Sequence, residues 1–339
     1  MKKILVCIVV VFVLLAGCGK TDTETPEKET ILSEKDEYVE SNIGEEFENI
    51  MTSEDVIMSF LSVDRNGEYV LYGKNFENGT IYKYIYGEEK GWKSDKVEWN
   101  DKLIKKIGKS DSMRWINVGY DGNLYVLCSK VDEESEKLIY DLYCINDDTQ
   151  SVDKVKLSCF GIPTDETITY IGAFGNGNIL VQNEKGSIEW FDISTGEIEG
   201  TYNEPVHKLF MGDREFYAVD GSNSKVNMIS EHDGTVTEIF SLEDEVLLNS
   251  NNSSTLLYVE VYENENQDVF VLVPSGIYEV NLTEKGNKEI VSNYGLESNT
   301  NITKYESLGF VEKEGTFAKI STETLDEGVN IYCYEYNLP

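Results

Sequence analysis

Only two histidines, His207 and His232, stand in a sequence of 339 residues that carries 63 carboxylates. Neither lies in an H-E-x-x-H or beside a G-x-S-x-G, the spacings that would place a zinc ligand pair or a nucleophile elbow. Two carboxylates at the right separation are enough for glycoside hydrolysis, but spacing along the chain does not single out a pair. The clusters Asp64 to Glu68 (DRNGE) and Asp121 to Asn123 (DGN) offer oxygen ligands at turns. Neither completes a twelve-residue calcium loop, and chain reversal accounts for both. Cys128, Cys144, Cys159 and Cys333 are scattered with no C-x-x-C, which argues against zinc or a thioredoxin-like centre and leaves buried thiols and disulfides both open. No metal and no cofactor is expected.

A different chemistry is suggested by six apolar segments that each precede a tight polar turn. Aligned from their starts, they bring Met58, Trp115, Tyr170, His207, Tyr258 and Tyr305 to one position, with Arg114 and Lys304 just before two of them. Aromatic faces gathered this way stack on sugars or grip a cation, and the two cations orient a carboxylate or hydroxyls. The competing role for such bulky residues is packing between neighbouring sheets. Arg114, Trp115, Tyr170, His207, Tyr258, Lys304 and Tyr305 are the expected ligand-binding residues, and no catalytic residue is assigned.

Those positions have to be held by strands. "WINVGYDGNLYVLC" from Trp115 and "YIGAFGNGNILVQ" from Tyr170 alternate apolar and polar residues around a Gly-containing turn, and four further segments share the plan. Each is followed by a second hairpin, as in "SIEWFDISTGEIEGTY". Period-two alternation with turn residues every 8 to 12 positions marks an all-β chain. Six units of four antiparallel strands exceed what one open sheet holds, and radial repetition removes the exposed edges. The expected fold is therefore a six-bladed β-propeller, with a seven-bladed ring as the alternative. The last unit, ending in "GVNIYCYEYNLP", supplies only three strands. The segment Gly44 to Asp55, around Phe47 to Met51, is expected to provide the fourth.

Ahead of the repeats, Lys2, Lys3 and the apolar run from Ile4 to Ala16 read as a secretory signal too short for a confident membrane span. Leu15-Ala16-Gly17-Cys18 resembles the lipobox of bacterial lipoproteins. The resemblance implies a signal peptide over 1–17, cleavage before Cys18, lipid on its thiol, and anchoring at the extracytoplasmic face of the cell membrane. The following stretch, rich in Thr, Glu and Lys, buries too little to order itself and is expected to be a tether over 18–43, with a mean reach of roughly 25 to 30 Å. The propeller domain is assigned to 44–339. A formal charge of -34 disfavours nucleic acid and anionic lipid surfaces as partners.

"WFDISTGEIEG" from Trp190 resembles the Asp-x-x-Thr-Gly turn of quinoprotein-like propeller repeats, with Asp192, Thr195 and Gly196 in the matching places; it gives no warrant for a quinone. Lipobox, acidic tether and degenerate repeats together resemble the WD40-like or quinoprotein-like propeller regions of Gram-positive surface lipoproteins, some of which continue into a solute-binding domain of an ABC importer. The expectation is a monomeric, lipid-anchored module that binds a glycan, peptide or protein without chemistry. The alternatives are a carbohydrate-active or other propeller enzyme using carboxylates at a channel mouth, and an accessory or sensor beside a nutrient importer.

Overall fold

Strand after strand in this chain is buried on both faces, and the sheet order explains why. The computed structural model describes residues 38–42, 56–63, 69–75, 81–87, 91–108, 112–243, 259–264, 266–273, 276–282, 287–292, 305–313, 316–325 and 328–337. All of them belong to one unit, Glu34–Pro339. The readings made for 1–17 and Cys18 lie outside the described residues.

A first short strand, β1 (Tyr38–Asn42), precedes the repeats. Sheet one holds β2 (Val56–Val63), β3 (Tyr69–Asn75), β4 (Ile81–Gly87) and β5 (Gly91–Lys96). A helix, α1 (Asn100–Ile107), leads to sheet two. That sheet holds β6 (Ser112–Val118), β7 (Leu124–Val131), β8 (Leu138–Asn146), β9 (Ser151–Val155) and the two-residue β10 (Pro163–Thr164). Sheet three is β11 (Ile168–Ala173), β12 (Ile179–Asn183), β13 (Ile188–Phe191) and β14 (Ile198–Tyr202). Sheet four is β15 (Lys208–Met211), β16 (Glu215–Asp220), β17 (Lys225–Ser230) and β18 (Val236–Ser241). Sheet five is β19 (Glu260–Glu263), β20 (Val269–Val273), β21 (Gly276–Glu279) and β22 (Lys288–Ser292). Sheet six combines β23 (Tyr305–Lys313), β24 (Thr316–Leu325) and β25 (Gly328–Asn337) with β1.

Every pairing is antiparallel, and each sheet runs as a meander in chain order except where β1 and β10 join from elsewhere. The follow-on hairpins lie where the alternation put them. The edge of sheet six differs in its residues: Tyr38 to Asn42 pair with Tyr334 to Asn330 of β25. With β24 on the other side of β25, that edge is taken, so Phe47 to Met51 do not supply it. The segment Gly44 to Asp55 itself lies outside the described residues. The strand falls inside the stretch that composition reads as tether, because Tyr38 and Val39 bring β-forming side chains that pairing with β25 can use.

The first strands follow one another in space. β23 lies against β2, β2 against β6, β6 against β11, β11 against β15, and β15 against β19. Between them the apolar side chains divide by parity, since successive strand residues point to opposite faces. On β7, Leu124, Val126 and Cys128 join the core shared with Val70, Tyr72 and Ile81 of sheet one. Tyr125 and Leu127 join Ile171, Ile179 and Phe191 of sheet three. On β16 the same split sends Phe216 and Ala218 toward Leu180 and Trp190, and Tyr217 and Val219 toward Val261, Val269 and Val271. A strand buried on both faces reads as a continuous apolar run rather than an alternating one. Each fully buried aliphatic or Phe side chain contributes about 1.5–3 kcal/mol. A one-residue slip would exchange the two cores, so register is strongly fixed.

Helix α1 fills the gap between sheets one and two with Leu103 and Ile107, beside the fully buried Trp99. The indole of Trp99 donates to Asp147 Oδ1 at 2.6 Å, and Ile81 N donates to Asn100 Oδ1 at 3.0 Å. The Asp-x-x-Thr-Gly turn has the geometry its residues imply: Asp192 Oδ1 accepts from the amides of Ser194 and Thr195, and Gly196 takes φ +78°. A Cβ at Gly196 would lie 2.4 Å from the Lys156 carbonyl, so two constraints demand glycine there.

Candidate functional site

The first strands carry a feature that alternation alone does not announce. Register skips one residue in β2, β6, β11 and β23, leaving Ser59, Arg114, Thr169 and Leu308 unpaired opposite their second strands. Such a bulge breaks strict in–out alternation and re-aims the side chains around it. Arg114 and Trp115 are consecutive, yet both are exposed, Trp115 by 39%. Arg114 Nε donates to Ser129 Oγ on β7 at 2.7 Å, which pins the guanidinium stem across the hairpin.

Trp115 meets Tyr170 on the next first strand, ring centroids 5.9 Å apart at an interplanar angle of 63°. The edge contact anchors the indole without covering it. Between the two strands Asn117 Nδ2 donates to the Ile171 carbonyl at 2.7 Å. Burial pushes the Tyr170 phenol up to about 12, while the Asn117 amide acts in the opposite sense. At neutral pH Tyr170 is therefore a neutral phenol, suited to packing and hydrogen bonding rather than to base chemistry.

Trp115 and Tyr170 each lie three residues before the last paired residue of their strand, Val118 and Ala173. Counted back from the turn in the same way, the equivalent positions are Phe60 on β2, Lys208 on β15 and Glu260 on β19. Lys208 Nζ lies 3.6 Å from Glu260 Oε1, donates to the Val259 carbonyl at 3.3 Å, and stands 5.4 Å over the Phe210 ring. Glu260 is almost wholly buried, and a buried carboxylate needs such a partner. The structure thus places an aromatic pair and an ion pair on four successive first strands.

His207 does not share this position. It is exposed just before β15, and its Nδ1 accepts from Gly221 N at 3.0 Å, so the ring fastens the loop after β16. Tyr258 and Lys304 lie outside the described residues. Tyr305 opens β23, and its side chain also lies outside them. Lys208 and Glu260 were missed because the alignment ran from strand starts. Counting back from the turn leads to Lys208, where Gly212 marks the turn, but the turn after β19 carries no glycine and gives Glu260 no such marker.

At the turn end of the same strands the chemistry is of another kind. Tyr120, after β6, donates its hydroxyl to the Asn264 carbonyl, after β19, at 2.8 Å. Glu263 is 4% exposed; its Oε1 accepts from Asp213 N at 3.0 Å and its Oε2 from the Tyr217 hydroxyl. Desolvation raises the Glu263 pKa, opposed by its bond from Tyr217, and desolvation with the nearby Glu263 charge raises that of Glu215. Glu231, also buried, accepts from Asn176 and Asn178 amides at 2.8 and 2.6 Å and pairs with Arg214 at 3.4 Å. Asp121 of the Asp-Gly-Asn turn accepts from Asn123 N, Asn123 Nδ2 and the Tyr125 hydroxyl. Its oxygens serve the turn. Among the described residues no group of three or more His, Cys, Asp or Glu side chains is placed to hold a metal ion.

Burial pushes the Cys144 thiol up to about 11 and the Cys159 thiol up to about 12. Neither is a thiolate at neutral pH, and neither is in a disulfide.

No known family profile and no curated protein matches the chain. Among solved structures it is similar to the WD40 β-propeller domain of Doa1, with TM-score 0.42, 10% identity and coverage of 88% of this chain and 97% of that one. It is also similar to Pyrococcus horikoshii acylaminoacyl peptidase, with TM-score 0.41, 11% identity and coverage of 85% and 47%. A third is the polysaccharide lyase Uly1, with TM-score 0.36, 12% identity and coverage of 82% and 57%. The chain spans about half the length of the latter two.

Proposed function

We propose that the chain is a six-bladed β-propeller, held at the extracytoplasmic face of a membrane by lipid on Cys18, that binds a ligand on its first strands without chemistry of its own. Six sheets follow one another through their first strands, which is the arrangement radial repetition produces. In a ring of six, sheets two and five stand opposite, and the Tyr120 to Asn264 bond joins those two.

The observation that carries the binding reading is Trp115. A large aromatic side chain fixed edge-on by Tyr170 and still exposed offers a flat apolar face at little ordering cost. The test is a glycan and peptide array probed with the full-length protein in detergent, alongside Trp115→Ala and Tyr170→Ala. A ligand captured by the parent and lost by both variants supports the reading; one captured equally by all three sinks it. Anchoring is tested by Cys18→Ser, expected to release the protein from the membrane fraction.

The enzyme reading rests on Glu263 and Glu215, carboxylates whose burial holds them toward the protonated form. Hydrolytic or lytic activity on a polysaccharide panel, abolished by Glu263→Gln in a folded variant, would favour it over binding alone.

A further inference from the structure

We infer that Arg114 selects the ligand of the Trp115 surface, and that this ligand is a ring carrying a single carboxylate, a sugar acid or an aromatic acid. The inference rests on the binding reading above and goes further by naming the charged residue and the ligand class.

Backbone geometry is the first argument. Met113 and Ile116 of β6 both enter the core shared with sheet one, although a spacing of three sends residues of a regular strand to opposite faces. The extra residue at Arg114 reconciles the two. Trp115, next along, meets Tyr170 of sheet three. Arg114 Nε donates at 2.7 Å to the hydroxyl of Ser129, which has the parity of Tyr125 and Leu127, the β7 residues packed toward sheet three. The bulge thus brings a cation and an indole to one side of sheet two from Cα atoms ~3.8 Å apart. A regular strand would have divided them.

The second argument is the company Arg114 keeps. With 63 acidic residues to 29 basic ones, a carboxylate is the partner nearest to hand for a cation of this chain. Lys83, Lys137, Lys154 and Lys185 each have one within 2.7 Å, and Arg214 has one at 3.4 Å. Arg114 has none within ion-pair distance among the described residues, and its side-chain hydrogen bond goes to a neutral hydroxyl. Ser129 is 3% exposed, so a buried group fixes the stem of an exposed side chain. The bond through Nε leaves the two terminal nitrogens, a planar pair that meets a carboxylate in two parallel bonds.

Together the two residues define the ligand. The indole takes a flat face, the C–H face of a sugar or an aromatic ring, and the guanidinium takes a carboxylate on that ring. The number of charges follows from the rest of the chain. A formal charge of -34 repels a polymer of carboxylates before contact. Most of that field is screened beyond ~8 Å, so a single carboxylate touching Arg114 meets a cation first.

The experiment is calorimetric titration of the full chain in detergent with glucuronate, galacturonate and benzoate, each beside its uncharged amide, and with hexagalacturonate. At least one acid is expected to bind about tenfold or more tightly than its amide. Arg114→Gln is expected to bring that ratio close to one, Arg114→Lys to restore part of it, and Trp115→Ala to lose acid and amide alike. A uronate bound without benzoate, or the reverse, supports the inference and identifies the source of the ring. Acid and amide bound equally by the parent overturn it, as does a ratio unchanged in Arg114→Gln and Arg114→Lys. Hexagalacturonate bound more tightly than galacturonate overturns the assignment to a single charge. Failure of every acid to bind overturns the inference while a Trp115-dependent ligand found on the array leaves the aromatic surface standing; absence of any such ligand removes both.

Discussion

The two ends of the same first strands are finished in opposite ways. At the turn end, Glu263 accepts from Asp213 and Tyr217, Glu231 from two asparagine amides, and Tyr120 reaches from sheet two to sheet five. Toward the strand starts, Trp115 shows an open face beside the Tyr170 ring. Polar groups saturated inside the protein hold it together; an aromatic face left open at a surface is what can bind something else. A carboxylate is therefore no stronger a sign of function at one place than at another until its partners are counted. This is why the turn end, richest in acids, is read as scaffold.

Substitutions can break or sharpen that contrast. The largest expected effect on stability is that of Glu263→Ala, which strands the Tyr217 hydroxyl and the Asp213 amide and should cost about 2–3 kcal/mol in denaturant unfolding while leaving ligand affinity at the strand starts unchanged. Tyr120→Phe removes one bond between sheets two and five and should cost about 1 kcal/mol. Trp115→Ala should cost about 0.5–1 kcal/mol, chiefly its edge contact with Tyr170, yet abolish binding. A stability loss larger than that of Glu263→Ala would erase the distinction between the ends.

The smallest effect is a pH dependence. Glu263 has a raised pKa in the folded protein, so its contribution is fully present below the pKa of an unfolded glutamate and is lost as pH rises through the folded value. Between pH 7 and pH 5 the parent should gain stability relative to Glu263→Gln, which lacks the titration. Parallel curves for the two proteins would show that Glu263 is ionised in its pocket without penalty. Glu215, Asp213 and the phenols of Tyr120 and Tyr217 face the same carboxylate, so the comparison is between the two variants rather than with an absolute curve.

The sheets were legible in the sequence because parity is written residue by residue, and the turns because Gly and Asp mark them. Trp115 and Tyr170 do hold equivalent positions, three residues before the last paired residue of their strands, whereas Met58 lies two residues before Phe60 on β2. On β15 and β19 pairing begins only at Lys208 and Glu260, so His207 and Tyr258 fall one and two residues short of the equivalent position. The bulges at Ser59, Arg114 and Thr169 have no glycine to betray them; only the one at Leu308 is followed by a glycine, Gly309. Contacts such as Tyr120 to Asn264, 144 residues apart, are set by how the sheets are arrayed and leave no local trace. The strand Tyr38–Asn42 was hidden for a related reason: its partner lies at the other end of the chain, and an acidic neighbourhood masks two good strand formers.

That pairing has a mechanical side. If the N-terminal end is the tethered one, any drag on the protein enters through five residues laddered onto β25, and the first thing asked to yield is the seam between the chain's two ends. The sheets beyond would feel the force only after that seam had parted, which makes a five-residue zipper the fuse of the whole assembly.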